Sequence, residues 1–116
     1  MIQAINSALA GLYVHRTWLD SSADNIANSR TDGFRSTRVL PRENSSGAPS
    51  PYVVRSTTPG PVYGDVFNPG ELVERSNVDL ALEGVNLIIA EKGYQANLQV
   101  LRMADQLTGT TLDIIA

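Results

Sequence analysis

A chain of 116 residues fits one domain, and at that size folding buries only about two-thirds of the surface that the unfolded chain exposes. Nine Lys plus Arg against 12 Asp plus Glu give a net charge of -3, and no basic cluster occurs, so the long-range attraction that drives phosphate-backbone binding is missing and no nucleic-acid partner is expected. The absence of cysteine removes disulfides and thiolate metal sites without choosing a compartment.

The first residues, Met1 to Asn6, show no basic region followed by an apolar run, so no ordinary secretion signal is expected. The longest apolar stretch, Leu87 to Ala90, is far short of the ~20 residues of a membrane span, so no membrane insertion is expected either. Ile2, Ile5, Leu9, Leu12, Arg16, Leu19, Ala23 and Ile26 alternate spacings of three and four, the seam of a coiled coil, and predict a helix over residues 1–28. Gly33, after a polar run, suits the turn that closes it. Residues 29–75 are expected to hold a loop and a small β-hairpin. The stretch Pro41 to Pro51 has no apolar period and reads as an exposed, mobile loop. β-Branched and aromatic residues on both sides of Pro59-Gly60 predict the hairpin, with Tyr52–Thr58 and Pro61–Phe67 as its strands.

The third segment, 76–116, reads as one helix. Ser76 and Asp79 have the spacing of a capping box, which starts the helix near Asn77, and Asp79 and Glu83 favour the positive end of its dipole. Continued to Ile115 it would be about 57 Å long, against about 40 Å for the first helix. It carries two apolar stripes. One is Val78, Leu82, Val85, Ile89, then after a slip Gly93, Ala96, Val100, Met103, Leu107, Thr110 and Ile114; the other is Leu80, Gly84, Leu87, Glu91, Tyr94, Leu98, Leu101, Asp105, Thr108, Leu112 and Ile115. A two-helix hairpin covers about one such stripe. The fold expected is therefore mainly α, a single domain of two long terminal helices paired as an antiparallel coiled-coil-like hairpin. Either both stripes form one wide core face closed by the hairpin or, the preferred reading, one packs within the subunit and the other between subunits. The first is taken as the inner stripe and the second, with Leu98 and Leu101, as the outer, although periodicity alone does not fix which looks inward.

No catalytic, metal or cofactor site is suggested, and the chain is not read as an enzyme. His15 is the single histidine, lies off the proposed seam, and reads as a solvated side chain. Asp20, Ser21 and Ser22 beside it splay around the helix rather than converging as a triad must. No glycine-rich phosphate loop precedes a helix. Gly11, Gly84, Gly93 and Gly109 each cost a helix up to about 1 kcal/mol, so they mark either close helix approach or tolerated defects. Asn25, Asn28 and Asn97 near the seams are candidates for fixing register, and Tyr13 and Trp18, off the first seam, for touching a partner.

Two stretches carry a resemblance. Ala23-Asp24-Asn25-Ile26-Ala27-Asn28-Ser29-Arg30-Thr31-Asp32-Gly33-Phe34-Arg35 resembles the N-terminal motif of flagellar basal-body rod and hook proteins. Ser76-Asn77-Val78-Asp79-Leu80, Ala90-Glu91-Lys92-Gly93-Tyr94-Gln95-Ala96-Asn97 and Ala104-Asp105-Gln106-Leu107 resemble the C-terminal motif of the same family. The resemblance covers about residues 1–38 and 72–116. It implies an axial rod subunit that polymerises through its terminal helices as part of a drive shaft in the periplasm. The implied partners are other copies of itself, neighbouring rod and hook proteins, and the flagellar type III export apparatus. The motif residues it would assign to assembly are Asn25, Ile26, Ala27, Asn28, Thr31, Gly33, Phe34, Ser76, Asn77, Val78, Asp79, Tyr94, Gln95, Ala96, Asn97 and Asp105. Only about 33 residues separate the motifs. That shortness is proximal-rod-like, whereas Ser76 gives the C-terminal motif a distal-rod-like form. A non-axial helical-hairpin adaptor or regulatory module is the alternative.

Overall fold

The computed structural model describes residues 1–115. Helix α1 (Ile2–Ala27) and helix α2 (Leu80–Ile115) enclose four short strands in the chain: β1 (Thr37–Glu43), β2 (Pro49–Arg55), β3 (Val62–Gly64) and β4 (Leu72–Glu74). The molecule measures 79 × 26 × 16 Å, and its radius of gyration of 20.5 Å far exceeds the ~13 Å of a compact chain this long. No helix is long and apolar enough to cross a membrane among the described residues.

The helices run antiparallel, as expected, but on a different seam. Ala8, Gly11, Val14, Ser22 and Asn25 are buried on α1, and Glu83, Ala90 and Ala104 on α2. The predicted seam residues Ile2 and Leu9 are instead exposed. Small residues let the two backbones come close, and two interlocks show how close. A Cβ on Gly93 would overlap the His15 ring, and one on Gly11 would lie 2.7 Å from Asn97 Nδ2. Each helix thus sends one side chain over a glycine of the other. His15 is not a solvated side chain: it is half-buried in the seam, its ring is stacked on Trp18, and its Nδ1 is buried without a hydrogen-bond partner. Two of the four helix glycines mark close approach; Gly84 and Gly109 have open space around them.

The middle segment holds two hairpins, both displaced from the predicted one. β1 pairs with β2 from Thr37 opposite Arg55 to Glu43 opposite Pro49, so the expected loop at Pro41–Pro51 is mostly strand. Asn44 makes this possible. Its Oδ1 accepts from Ser46 N at 3.0 Å, Ser46 Oγ at 2.7 Å and Ala48 N at 3.0 Å, and Gly47 takes a φ of 79°. β3 pairs with β4 around a turn at Asn68–Gly70. Pro59-Gly60 links the hairpins instead of turning one; Gly60 is buried because the Arg75 carbonyl occupies the place of a Cβ. β1 and β2 both pack on α1, while β3–β4 touches none of the other elements.

Helix α2 starts at Leu80 rather than near Asn77. Asp79 is the cap, its Oδ1 accepting from Ala81 N at 3.0 Å and Leu82 N at 3.2 Å, while Ser76 Oγ accepts from Val78 N at 3.3 Å in the extended approach. The buried core is small: Ala8, Val14, Val39, Ala90 and Ala104 are its apolar members, and the largest fully buried side chains are Asn25 and Ser22.

The interlock predicts opposite signs for one substitution at two glycines. Gly84→Ala, into open space, is expected to stabilise α2 by up to about 1 kcal/mol through helix propensity. Gly93→Ala drives a methyl into His15 and is expected to destabilise by about 1–3 kcal/mol, offset in part by the same propensity. Urea unfolding of both variants, and of Gly93→Ala in a His15→Ala background where the penalty disappears, checks the contact.

Candidate functional site at the helix junction

The end of α1 and the start of α2 are joined by a polar network whose centre is Asn25. Its side chain is completely buried. Oδ1 accepts from Thr37 N at 2.8 Å; Nδ2 donates to Thr37 O at 2.8 Å and to Glu83 Oε1 at 2.9 Å. One carboxamide therefore pairs with both backbone groups of the first residue of β1, as a neighbouring strand would, and ties α2 to the same point. Ser21 Oγ and Thr37 Oγ1 lie 2.7 Å apart beside it, and Asn86 Nδ2 donates to Glu83 Oε2 at 3.5 Å.

Asn77 repeats the device on the other side. Oδ1 accepts from Ser36 N at 2.7 Å, while Nδ2 donates to Thr58 O at 2.7 Å and Ser56 Oγ at 3.0 Å. A third tie is the two-pronged pair of Arg35 with Glu74, both contacts 3.2 Å, with Arg35 Nη1 also donating to Thr57 O and Gly60 N donating to Glu74 Oε1. The Arg35 hydrogen bonds, then the Gly60 N–H, hold the Glu74 carboxyl below its usual range. Asn28 closes α1: its backbone N–H and Nδ2 both donate to Asp24 O, and Thr31 Oγ1 donates to Asn28 Oδ1 at 3.2 Å. Gly33, at a φ of 71°, turns its N–H onto Glu74 O at 2.7 Å. The terminal motifs thus converge on one junction, which also borders a polar cleft of about 440 Å³ with Trp18 on its wall.

The motif residues divide by place. Asn25 and Ser76 are buried; Ile26, Asn28, Phe34, Asn77 and Val78 are half-buried around the junction; Ala27, Thr31, Gly33 and Asp79 are exposed at its rim. Farther along α2, Tyr94, Asn97, Leu98 and Leu101 are half-buried, whereas Gln95, Ala96 and Asp105 are exposed. The stripe expected to face inward is the outward one. Leu82, Val85, Ile89, Val100, Met103 and Leu107 are each 43–58% exposed. The seam falls one residue later, at Glu83, Ala90, Asn97, Leu101 and Ala104, because small or polar residues on α1 admit α2 only on that line. Sequence reasoning missed Thr37, Glu83, Arg35 and Glu74. A buried Glu facing a buried Asn from the other end of the chain has no local signal. Among the described residues no group of three His, Cys, Asp or Glu is placed to hold a metal.

Two predictions follow from the network. Asn25→Leu leaves the Thr37 N–H and C=O and the Glu83 carboxyl without their partner, and is expected to cost about 2–4 kcal/mol in urea unfolding, more than an exposed Asn on the same helix. Glu74 contributes through a carboxyl whose folded pKa lies below its ordinary value of 4.5. The contribution is therefore complete above that ordinary value and lost as pH falls through the folded one. Glu74→Gln is expected to flatten the acid limb of the stability profile below about pH 4.5 and leave its slope near neutrality unchanged.

Residues 70–114 match the family described as flagellar basal body rod FlgEFG protein, C-terminal. The chain is similar to the flagellar hook protein FlgE of Escherichia coli, 43% identical over 42 residues that make up 36% of this chain and 10% of that protein. It is equally similar to FlgE of Salmonella typhimurium, and 40% identical over 45 residues to FlgE of Helicobacter pylori, 39% of this chain and 6% of that protein. The matched stretch spans a tenth or less of the length of these hook proteins. The family match at residues 70–114 takes in β4, the Ser76–Asp79 approach and almost all of α2, so it carries one side of the polar junction and one side of the helical seam. Over this segment the chain is similar to flagellar rod and hook axial proteins.

Proposed function

We propose that this chain is a structural axial subunit of the flagellar basal-body rod, which joins its neighbours through the outward flanks of its two helices. The observation that carries the proposal is a departure from the usual burial pattern: apart from Val14 the buried residues of the two helices are Ala, Gly, Ser, Asn and Glu, while Leu82, Val85, Ile89, Val100, Met103 and Leu107 line one exposed face of α2. Soluble monomers rarely leave so long an apolar stripe in water. The exposed stripe on α1, Ile2 with Leu9, lies on the opposite flank of the hairpin, because it follows its seam by one residue whereas that of α2 precedes its seam, and the helices are antiparallel. Two unlike apolar flanks on opposite sides let the contact repeat head to tail from copy to copy, as a polymer requires.

The family match at residues 70–114 supports an axial structural role, and the resemblance of Ala23–Arg35 to the N-terminal motif of the same proteins supports it from the other end. The compact segment between the motifs favours the rod over the hook. On this reading the subunit stands in the periplasmic rod, reaches it through the flagellar export apparatus, and has other axial proteins as partners. No residue is assigned a catalytic role. The alternative, a helical-hairpin adaptor, requires a single defined complex in place of a polymer.

Met103→Asp and Leu101→Asp separate assembly from folding. Met103 is 56% exposed, so Met103→Asp is expected to keep helix content and melting temperature while removing self-association in sedimentation and blocking incorporation into rods. Leu101 lies half-buried against α1, and Leu101→Asp is expected to destabilise the isolated hairpin by about 1.5–3 kcal/mol or more through lost burial and an unpaired charge. Normal motility with Met103→Asp would overturn the axial reading; a single sharp dimer at all concentrations would favour the adaptor.

A further inference from the structure

The β3–β4 hairpin is an arm held at its base, where Glu74 meets Gly33, Arg35 and Gly60, and free of the other helices and strands along its length. It touches no other element, and its strands are three residues each, too short for an isolated pair to hold its shape by strand pairing alone. Its tip is nevertheless well ordered. Asp65 accepts from Phe67 N at 2.9 Å and Asn68 Nδ2 at 2.8 Å, Asp65 N donates to Glu71 O at 2.8 Å, and Gly70 supplies the φ of 98° the turn needs. This turn displays Val66 and Phe67, 86% and 90% exposed, the most exposed large apolar side chains among the described residues. Asp65 and Glu71 flank the tip, and no Lys or Arg occurs between Arg55 and Arg75, whose guanidinium lies 5.7 Å over the Tyr63 ring.

The outer face of the first hairpin has the complementary character. Its register sets Arg38 opposite Val54, Leu40 opposite Tyr52 and Arg42 opposite Ser50, all on one face. The Arg42 guanidinium lies 3.7 Å over the Tyr52 ring. Leu40, Tyr52 and Val54 are exposed, and Arg38, Arg42 and Arg55 form no ion pair among the described residues. A recess of about 390 Å³ opens between Arg38, Leu40, Val54 and Arg55.

We infer that the Val66–Phe67 tip of one copy docks on the Arg38–Leu40–Tyr52–Val54 face of a second copy, with Asp65 and Glu71 against the unpaired arginines. The inference rests on the self-association proposed above and adds to the helical contacts a separate contact between the β-hairpins. The two surfaces differ, so each copy can give its tip to one neighbour and its basic face to another. Charge supplies its direction and the aromatic tip its burial.

The absence of cysteine allows a direct test in the full chain. Val66→Cys and Val54→Cys copies are mixed at concentrations where the wild type self-associates, and oxidised. A disulfide-linked heterodimer is expected from the mixture, and a ladder of oligomers from the chain that carries both cysteines. In parallel, Arg38→Glu and Glu71→Arg are each expected to raise the concentration for half-association about tenfold, and their combination to restore it. Association lost in Arg38→Glu and not restored by Glu71→Arg would assign the basic face to a different acidic partner and overturn the tip as its occupant. Unchanged association and no heterodimer, while Met103→Asp still abolishes association, would overturn this inference and leave the axial reading standing. A wild type that stays monomeric at all concentrations would overturn both.

Discussion

The close approach of two helices over two glycines governs this molecule. With His15 seated on Gly93 and Asn97 on Gly11, α1 and α2 meet along lines of small residues, and neither can rotate without driving a ring or a carboxamide into a backbone. Such a seam buries little apolar area. Its apolar buried members on the helices are Ala8, Val14, Ala90 and Ala104, and of these only Val14 reaches the ~1.5–3 kcal/mol of a large buried apolar side chain. The larger apolar side chains are left on the flanks, where only another chain can cover them. Weak internal burial and outward stickiness are thus one choice of seam seen from two sides.

Because the seam is weak, orientation has to come from directional contacts. Asn25, Asn77 and the Arg35–Glu74 pair provide them where the two chain termini converge with the strands, and each links segments distant in sequence. A buried carboxamide that pairs with a peptide group has one good geometry, so it fixes register more sharply than apolar contact does. Most of the residues that carry the resemblance lie at this junction, whereas the outward apolar stripe is an ordinary run of Leu, Val, Ile and Met. The junction sets the angle at which the hairpins leave the helices.

Much of the architecture was legible. Heptad spacing gives both helices and their pairing, since any seam at alternating three and four produces the same periodicity. The phase was not legible. Hydropathy favours the line through Ile2, Leu9 and Leu12, and nothing local reveals that α2 would rather meet Gly11 and Ser22, because the reason lies in the partner's Asn97 and Glu83. The hairpins were misplaced for a similar cause. Pro59-Gly60 has good turn chemistry, but the decisive turns are made by Asn44 and Asp65, whose side chains stand in for backbone partners. Several motif residues, Asn25 and Asn77 among them, lie at the junction, where they tie strands to helices; that role needed the structure.

The central claim is that Met103 and its stripe face water in the isolated subunit and meet protein only on assembly. The chain has two methionines, Met1 and Met103, so their labelled methyl signals report the stripe with little overlap. In dilute, monomeric protein a soluble paramagnetic agent should broaden the Met103 methyl as an exposed group, and self-association should protect it. A Met103 methyl shielded from the agent in the dilute monomer would contradict the account, for the apolar stripe would then be the inner seam.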